Sequence, residues 1–326
     1  EPDEPDSGDA DADPGDPDGS SGDGATRRRE DEADGHPEPI EPVAINAGSH
    51  EADAAASPSP QTVAPRPGGS LALPLTAPAA TLTMLMTVMF LMFLLVEPTP
   101  RWVALLGGGI AALSMDGVLR GARRAPFESG ADTAPYLFLP ALFAVAVPIF
   151  AEHNVRDFWA APAALAAGLA FGMVSSAEIA SVREFDPARS AARFIASAAT
   201  YFVAFALYSL TYRFGLDLQA AMVAVALVSA LLAVELLHEG AVDPLETLLL
   251  AVVTALTVAE VRWALHFLPL DGYLAGLTLV LGFYLVTGLI HSHLVRQLTV
   301  TLAAEYTLVA GAGGALIIWA RTTGLA

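Results

Sequence analysis

The sequence predicts an all-α fold: a polytopic transmembrane helical bundle of about nine spans, preceded by a disordered acidic N-terminal tail. Three observations predict this class. Hydrophobic residues make up 54% of the 326 residues and the mean hydropathy is +0.52, although the formal net charge is −19. The first 70 residues hold eighteen acidic residues and four arginines, so most of the charge belongs to the tail. The other 256 residues are close to neutral and consist mainly of long apolar runs.

Residues 1–76 are predicted to form a disordered region of their own. The stretch EPDEPDSGDADADPGDPDGSSGDG alternates Asp with Pro, Gly and Ser, so folding would cost chain entropy with almost no apolar area to bury. Two roles fit such a tail, a solvated spacer and an acidic arm that recruits a basic partner. The arginines at 27–29 are few and embedded in acid, and they do not indicate nucleic-acid binding.

The membrane domain is predicted to cover residues 77–321, with 322–326 as a short C-terminal end. A helix needs roughly 20 apolar residues, and at least about 17, to cross a bilayer. Runs without period-2 alternation can pair their backbone groups in lipid only as helices. Nine runs meet these conditions, at 79–96, 102–119, 135–151, 158–180, 191–212, 218–237, 245–267, 273–290 and 297–320.

Arginine and tryptophan report independently on the side of the membrane at which each joint lies. With the tail inside, eight arginines fall at inner joints and four at outer ones. All four tryptophans then fall at the outer ends of their spans: Trp102, Trp159, Trp263 and Trp319. The sequence therefore predicts a multi-pass protein of the cell membrane with a cytoplasmic tail and the C-terminus outside.

Several chemistries are excluded by composition. The chain has no Lys and no Cys, which removes Schiff-base, thiol and iron–sulfur chemistry. The nucleotide-binding, hydrolase and zinc-protease motifs are also absent. No catalytic residue and no cofactor is predicted, and an enzyme is the least favoured class.

Ionisable side chains within spans are costly and often mark ion or proton paths. Those predicted to lie toward the inner ends of their spans form the candidate path, which consists of Asp116, Glu178, Glu235, His238, His291, His293 and Glu305. Glu305 is the deepest, nine residues past Arg296, or about 13 Å along a continuous helix. The alternative is that these acids reach headgroups or pair with arginines such as Arg120 without lining a path.

The histidines do not predict a metal site. His291 and His293 project nearly opposite ways on a helix, so they cannot chelate one metal together. Glu235 and His238 share a helix face at the spacing used in carboxylate-bridged metal bundles, but such sites need a second pair, and the sequence holds one. No metal is therefore expected.

Two functions are favoured. The first is a transport-type protein that moves protons, cations or a small solute through the inner carboxylates and histidines. The second is a non-catalytic subunit or scaffold of a larger complex. Its partners would bind through the acidic tail or through Gly/Ala faces such as Ala164, Gly168 and Gly172, 107–109 and 311–314. In both cases the lipid bilayer is the main surrounding medium.

Overall fold

The computed structural model describes residues 77–96, 101–121, 133–155, 157–182, 189–238, 244–297 and 299–323. The predicted tail at 1–76 and the last three residues lie outside these ranges. Within them, nine helices are long and apolar enough to cross a membrane. The predicted helical bundle is therefore confirmed, and the chain is a multi-pass membrane protein.

The helix boundaries agree with the predicted runs to within four residues. A short 3-10 turn, Asp157–Trp159, precedes α4. The helices are α1 (Ala77–Leu95), α2 (Trp102–Gly121), α3 (Pro135–Asn154), α4 (Ala160–Ser181), α5 (Arg189–Arg213), α6 (Leu218–Leu237), α7 (Pro244–Leu265), α8 (Gly272–Leu294) and α9 (Val300–Thr322).

The joint between α8 and α9 corrects one prediction. Arg296 has a positive φ of 55°, and the next helix begins only at Val300. Thr299 caps that helix, since its hydroxyl accepts a hydrogen bond from the Leu302 backbone N–H at 3.2 Å. Glu305 therefore lies five residues into α9, or about 7.5 Å. The predicted depth of about 13 Å was wrong because it assumed an unbroken helix from Arg296.

The core joins α1, α3, α4, α5 and α8 through aromatic rings packed edge to face. Phe171 of α4 contacts Phe90 of α1 and Phe143 of α3, with ring centroids 6.3 and 6.1 Å apart. Tyr208 of α5 and Phe283 of α8 have ring centroids 6.5 Å apart. Such van der Waals packing stabilises helix association in lipid, where the hydrophobic effect between helices is weak.

The predicted small-residue faces have different surroundings. A methyl group added at Gly168 would collide with Thr87 of α1, and one at Gly172 would lie 2.7 Å from Thr83. This face of α4 is therefore used inside the bundle. Added methyl groups at Gly311 and Gly314 of α9 would meet nothing within 4 Å. In α9 only Ile317 is buried, so most of that helix remains open to lipid or to a partner.

The bundle has two ends, which we call the tail face, where α1 begins, and the opposite face. If the spans alternate in direction, the ends of α3 and α5 and the starts of α2 and α8 lie at the opposite face. Two contacts between these helix ends agree with this arrangement. Tyr273, at the start of α8, donates a hydrogen bond to Asn154, at the end of α3. The Arg101 guanidinium, just before α2, lies 4.4 Å from the ring centre of Phe214, just after α5. Which face is cytoplasmic stays a prediction.

Candidate functional site

A cavity of about 160 Å³ lies among α5, α6, α8 and α9 in the tail-face half of the bundle. Every residue that lines it comes from the tail-face part of its helix. The lining consists of Arg193, Ala196, Ser197, Thr200, Tyr201, Glu235, Leu236, Tyr284, Thr287, Gly288, His291 and Tyr306. At about 30 Å³ per water molecule, its volume matches a few waters or a small solute.

The cavity reaches the middle of the helices that line it. Tyr201 lies twelve residues beyond the start of α5, which is about 18 Å of helix against a hydrocarbon core of about 30 Å. Phe283 packs against Tyr201 at 6.0 Å between ring centroids. Further on, the Tyr208 hydroxyl lies 2.7 Å from the Ser229 hydroxyl, and both residues are fully buried. These three aromatic residues and Ser229 separate the cavity from the opposite face.

Three ionisable side chains from three helices line the cavity. Arg193 comes from the first turns of α5, Glu235 from the last turn of α6, and His291 from the last turn of α8. Glu235 is only 5% exposed. A buried carboxylate loses its hydration. The free-energy cost of this loss is smaller beside a polar cavity than on a surface that faces lipid.

Hydroxyl groups cover much of the remaining wall. The tyrosines come from three helices and form a continuous row, with ring centroids 5.7 Å apart for Tyr201 and Tyr284 and 5.4 Å apart for Tyr284 and Tyr306. Thr200 and Thr287 donate hydrogen bonds to carbonyls of their own helices, at 3.0 and 2.7 Å, which leaves their oxygens able to accept. Such a wall can both donate to and accept from a polar solute.

A family described as "Protein of unknown function (DUF5656)" matches residues 96–320, about two thirds of the chain. The chain belongs to the DUF5656 family. The match contains α2 to α9 and every residue of the cavity wall, and it leaves α1 outside. No curated protein and no solved structure matches this DUF5656 chain.

Two of the seven predicted path residues line the cavity of this DUF5656 protein, namely Glu235 and His291. His293, two residues further along α8, is exposed and lies away from the cavity wall. This arrangement agrees with the predicted divergence of the two histidines on one helix.

The other predicted residues lie elsewhere. Asp116 accepts hydrogen bonds from Arg120 Nε at 2.9 Å and from the Thr133 hydroxyl at 2.6 Å. The contact with Arg120 matches the alternative prediction that these acids pair with arginines and do not line a path. Glu178 is 1% exposed in α4 but does not line the cavity. The His238 ring packs edge to face on Tyr136 at 4.4 Å. Glu305 is exposed on α9.

Sequence reasoning missed Arg193 and the three cavity tyrosines. Neither Arg193 nor any tyrosine was among the seven predicted path residues. Neither Tyr284 nor Tyr306 has another tyrosine within two turns of its own helix. Their convergence depends on how α5, α8 and α9 pack, so a pattern within one helix could not reveal it.

The described residues contain no group of three or more His, Cys, Asp or Glu side chains close enough to hold a metal ion. Instead, the Glu235 backbone carbonyl lies 2.6 Å from His238 Nδ1. This contact holds the imidazole against the end of α6. The cavity offers an acid, an imidazole, a guanidinium and hydroxyls, which suits binding of a polar solute and proton exchange.

Proposed function

We propose that this DUF5656 protein is a transport-type membrane protein that moves a small polar solute together with protons through the tail-face cavity. The observation that carries the proposal is a cavity that reaches the middle of the helices that line it and brings Arg193, Glu235 and His291 together from three helices. Ionisable groups inside membrane proteins mark substrate and proton paths far more often than they serve packing.

The one-sided closure of the cavity supports this function. A carrier must expose its site to one side at a time, with the site near the membrane midplane. The cavity occupies the tail-face half, and on the side toward the opposite face the buried Tyr208 packs on Phe283 and contacts the Ser229 hydroxyl at 2.7 Å. This arrangement corresponds to a state loaded from the tail face, which we expect to be the cytoplasmic one.

Glu235 and His291 are the proposed proton carriers. A carboxyl group and an imidazole can each bind and release a proton. Arg193 would keep its charge and orient the solute. Asp116 and Glu305 have no place in this path, because one is paired with Arg120 and the other lies on the open side of α9.

The test is proton movement in vesicles that contain the purified protein and an internal pH dye. Gradients of one solute class at a time would be applied: monovalent cations, small carboxylates, amino acids, phosphate and sugars. We expect at least one class to drive a pH change that vesicles lacking the protein do not show. Protein-free and protein-containing vesicles that respond alike to every class would contradict the proposal.

A second function, a subunit of a larger complex, is favoured by α9. This helix is nearly unburied and carries the exposed carboxyl group of Glu305 on a membrane span. A partner helix would cover it. Native mass spectrometry from mild detergent discriminates the two functions. A stoichiometric partner that is lost on Glu305→Gln supports the complex, and an isolated protein that carries flux supports the transporter.

A further inference from the structure

The opposite end of the bundle holds a buried arginine that the proposed transport path does not use. Arg262 lies in the last turn of α7 and is 4% exposed. Its guanidinium carbon is 4.1 Å from the ring centre of Tyr212, in the last turn of α5. Stacking on a ring orients the guanidinium plane but satisfies none of its N–H groups.

Two of the three guanidinium nitrogens of this arginine, Nε and Nη1, are buried without a hydrogen-bond partner among the described residues. Among the described residues, no hydrogen-bond acceptor lies near Arg262 Nε or Nη1, and no carboxylate forms an ion pair with it. Asp271, at the start of α8, accepts instead from the Tyr273 backbone N–H at 2.8 Å. A buried charge without a counter-ion is among the costliest features a protein can retain, so a group that binds here would be strongly favoured.

Two hydroxyl groups of α5 at this end of the bundle also lack a hydrogen-bond partner within the described ranges. The Tyr212 hydroxyl and the Ser209 hydroxyl are buried and have no hydrogen-bond partner in the described part of the chain. They lie one turn apart on α5, on the side that packs against Gly272 and Gly276 of α8. Of these two residues, only Tyr212 is in contact with Arg262, and its hydroxyl and the guanidinium are neighbouring donors without acceptors among the residues described, which suit an anion.

The depth of the site indicates where that anion would come from. Arg262 lies three residues before the end of α7, about 4.5 Å of helix. Its neighbour Trp263 is half exposed, and its ring packs edge to face on Phe267 at 5.4 Å. Exposed aromatic pairs of this kind sit at the headgroup level of a bilayer, where phosphate groups are the abundant anions.

We propose that Arg262, with the Tyr212 hydroxyl, forms a binding site for a phosphate group at the opposite face. The group belongs to a lipid headgroup or to free phosphate, which share this chemistry. The guanidinium donates to the phosphate oxygens through Nε and Nη1, in the two-pronged geometry that arginine favours. This site is independent of the proposed transport function and uses none of the cavity residues.

The test is thermal unfolding of the purified full chain in detergent with three additions. Short-chain phosphatidic acid supplies a lipid phosphate, short-chain diacylglycerol supplies the same tails without phosphate, and inorganic phosphate supplies the free ion. We expect stabilisation by phosphatidic acid and none by diacylglycerol. Stabilisation by inorganic phosphate as well would show that the free ion suffices. No stabilisation by either phosphate would overturn the proposal.

Two variants locate the effect. Arg262→Met keeps the bulk of the side chain and removes the donors, and it should weaken phosphatidic acid binding at least about tenfold. Arg321→Met removes an exposed arginine of α9 near the same face and should leave binding unchanged. Arg262→Met should still fold, because an apolar residue replacing a buried unpaired charge is neutral or stabilising. Equal affinity of Arg262→Met and the unchanged chain would contradict the site.

Discussion

Replacing Glu235 by Gln is expected to abolish proton-coupled flux while the protein keeps its fold. The substitution keeps the shape of the side chain but replaces a carboxyl group, which can bind and release a proton, by an amide, which cannot. Glu235 is 5% exposed, and no other residue that lines this cavity carries a carboxyl group that could replace it. Without the Glu235 carboxyl group, the rate of proton-coupled flux should fall at least about a hundredfold. This is the size of the effect when an acid–base group is removed from an enzyme.

Glu305→Gln is the matched control for that experiment. It is the same chemical change, on a span of the same protein, at a residue that is exposed and lies outside the cavity wall. The flux measured in vesicles should remain within about twofold of the original rate, since surface substitutions rarely perturb a remote site. Equal losses in the two variants would mean that the cavity carboxyl has no special role.

Gly276→Val is expected to destabilise the bundle strongly. A side-chain carbon at this position would overlap the Ser209 hydroxyl and lie 3.0 Å from the Ser209 backbone nitrogen. A backbone atom cannot move aside as a flexible side chain can, so α5 and α8 would have to separate. Overpacking of this kind costs roughly 1–3 kcal/mol, and more where backbone is displaced.

The control for this substitution is Gly311→Val in α9, where an added carbon would meet nothing within 4 Å. Thermal unfolding in detergent, followed by tryptophan fluorescence, should show a clear fall in the midpoint for Gly276→Val and little change for Gly311→Val. If both variants melted together, the close contact of α5 with α8 would be wrong.

The fold could be predicted from sequence because lipid imposes simple rules. Every span had to be an apolar helix of a minimum length, and nine runs such as 218–237 met that rule with their boundaries nearly in place. The depth of Glu305 in α9 was predicted wrongly because the joint before α9 is not helical. Arg296 in this joint has a left-handed backbone conformation. Composition does not indicate such a break, because arginine is an ordinary helix former.

The candidate site could be predicted only in part. Charge and span position were enough to select Glu235 and His291 as candidates. They could not separate these from Glu178 or Glu305, because rotation of each helix about its own axis decides which side faces the cavity. That rotation is set by packing, for example by Gly288 of α8, where an added carbon would lie 2.5 Å from the Tyr306 ring of α9.

The most direct test of the central claim is whether water fills the cavity. The chain has no cysteine, so single cysteines can be introduced without removing others. Ser197 lines the cavity, and Ala198 lies beside it on α5, at the same depth but on the exposed, lipid-facing side. A thiol needs water to ionise and react with a membrane-impermeant maleimide. We expect Ser197→Cys to be labelled from one side of the membrane and Ala198→Cys to stay unlabelled. Labelling of Ala198→Cys with Ser197→Cys unreactive would contradict the cavity and the function proposed for it.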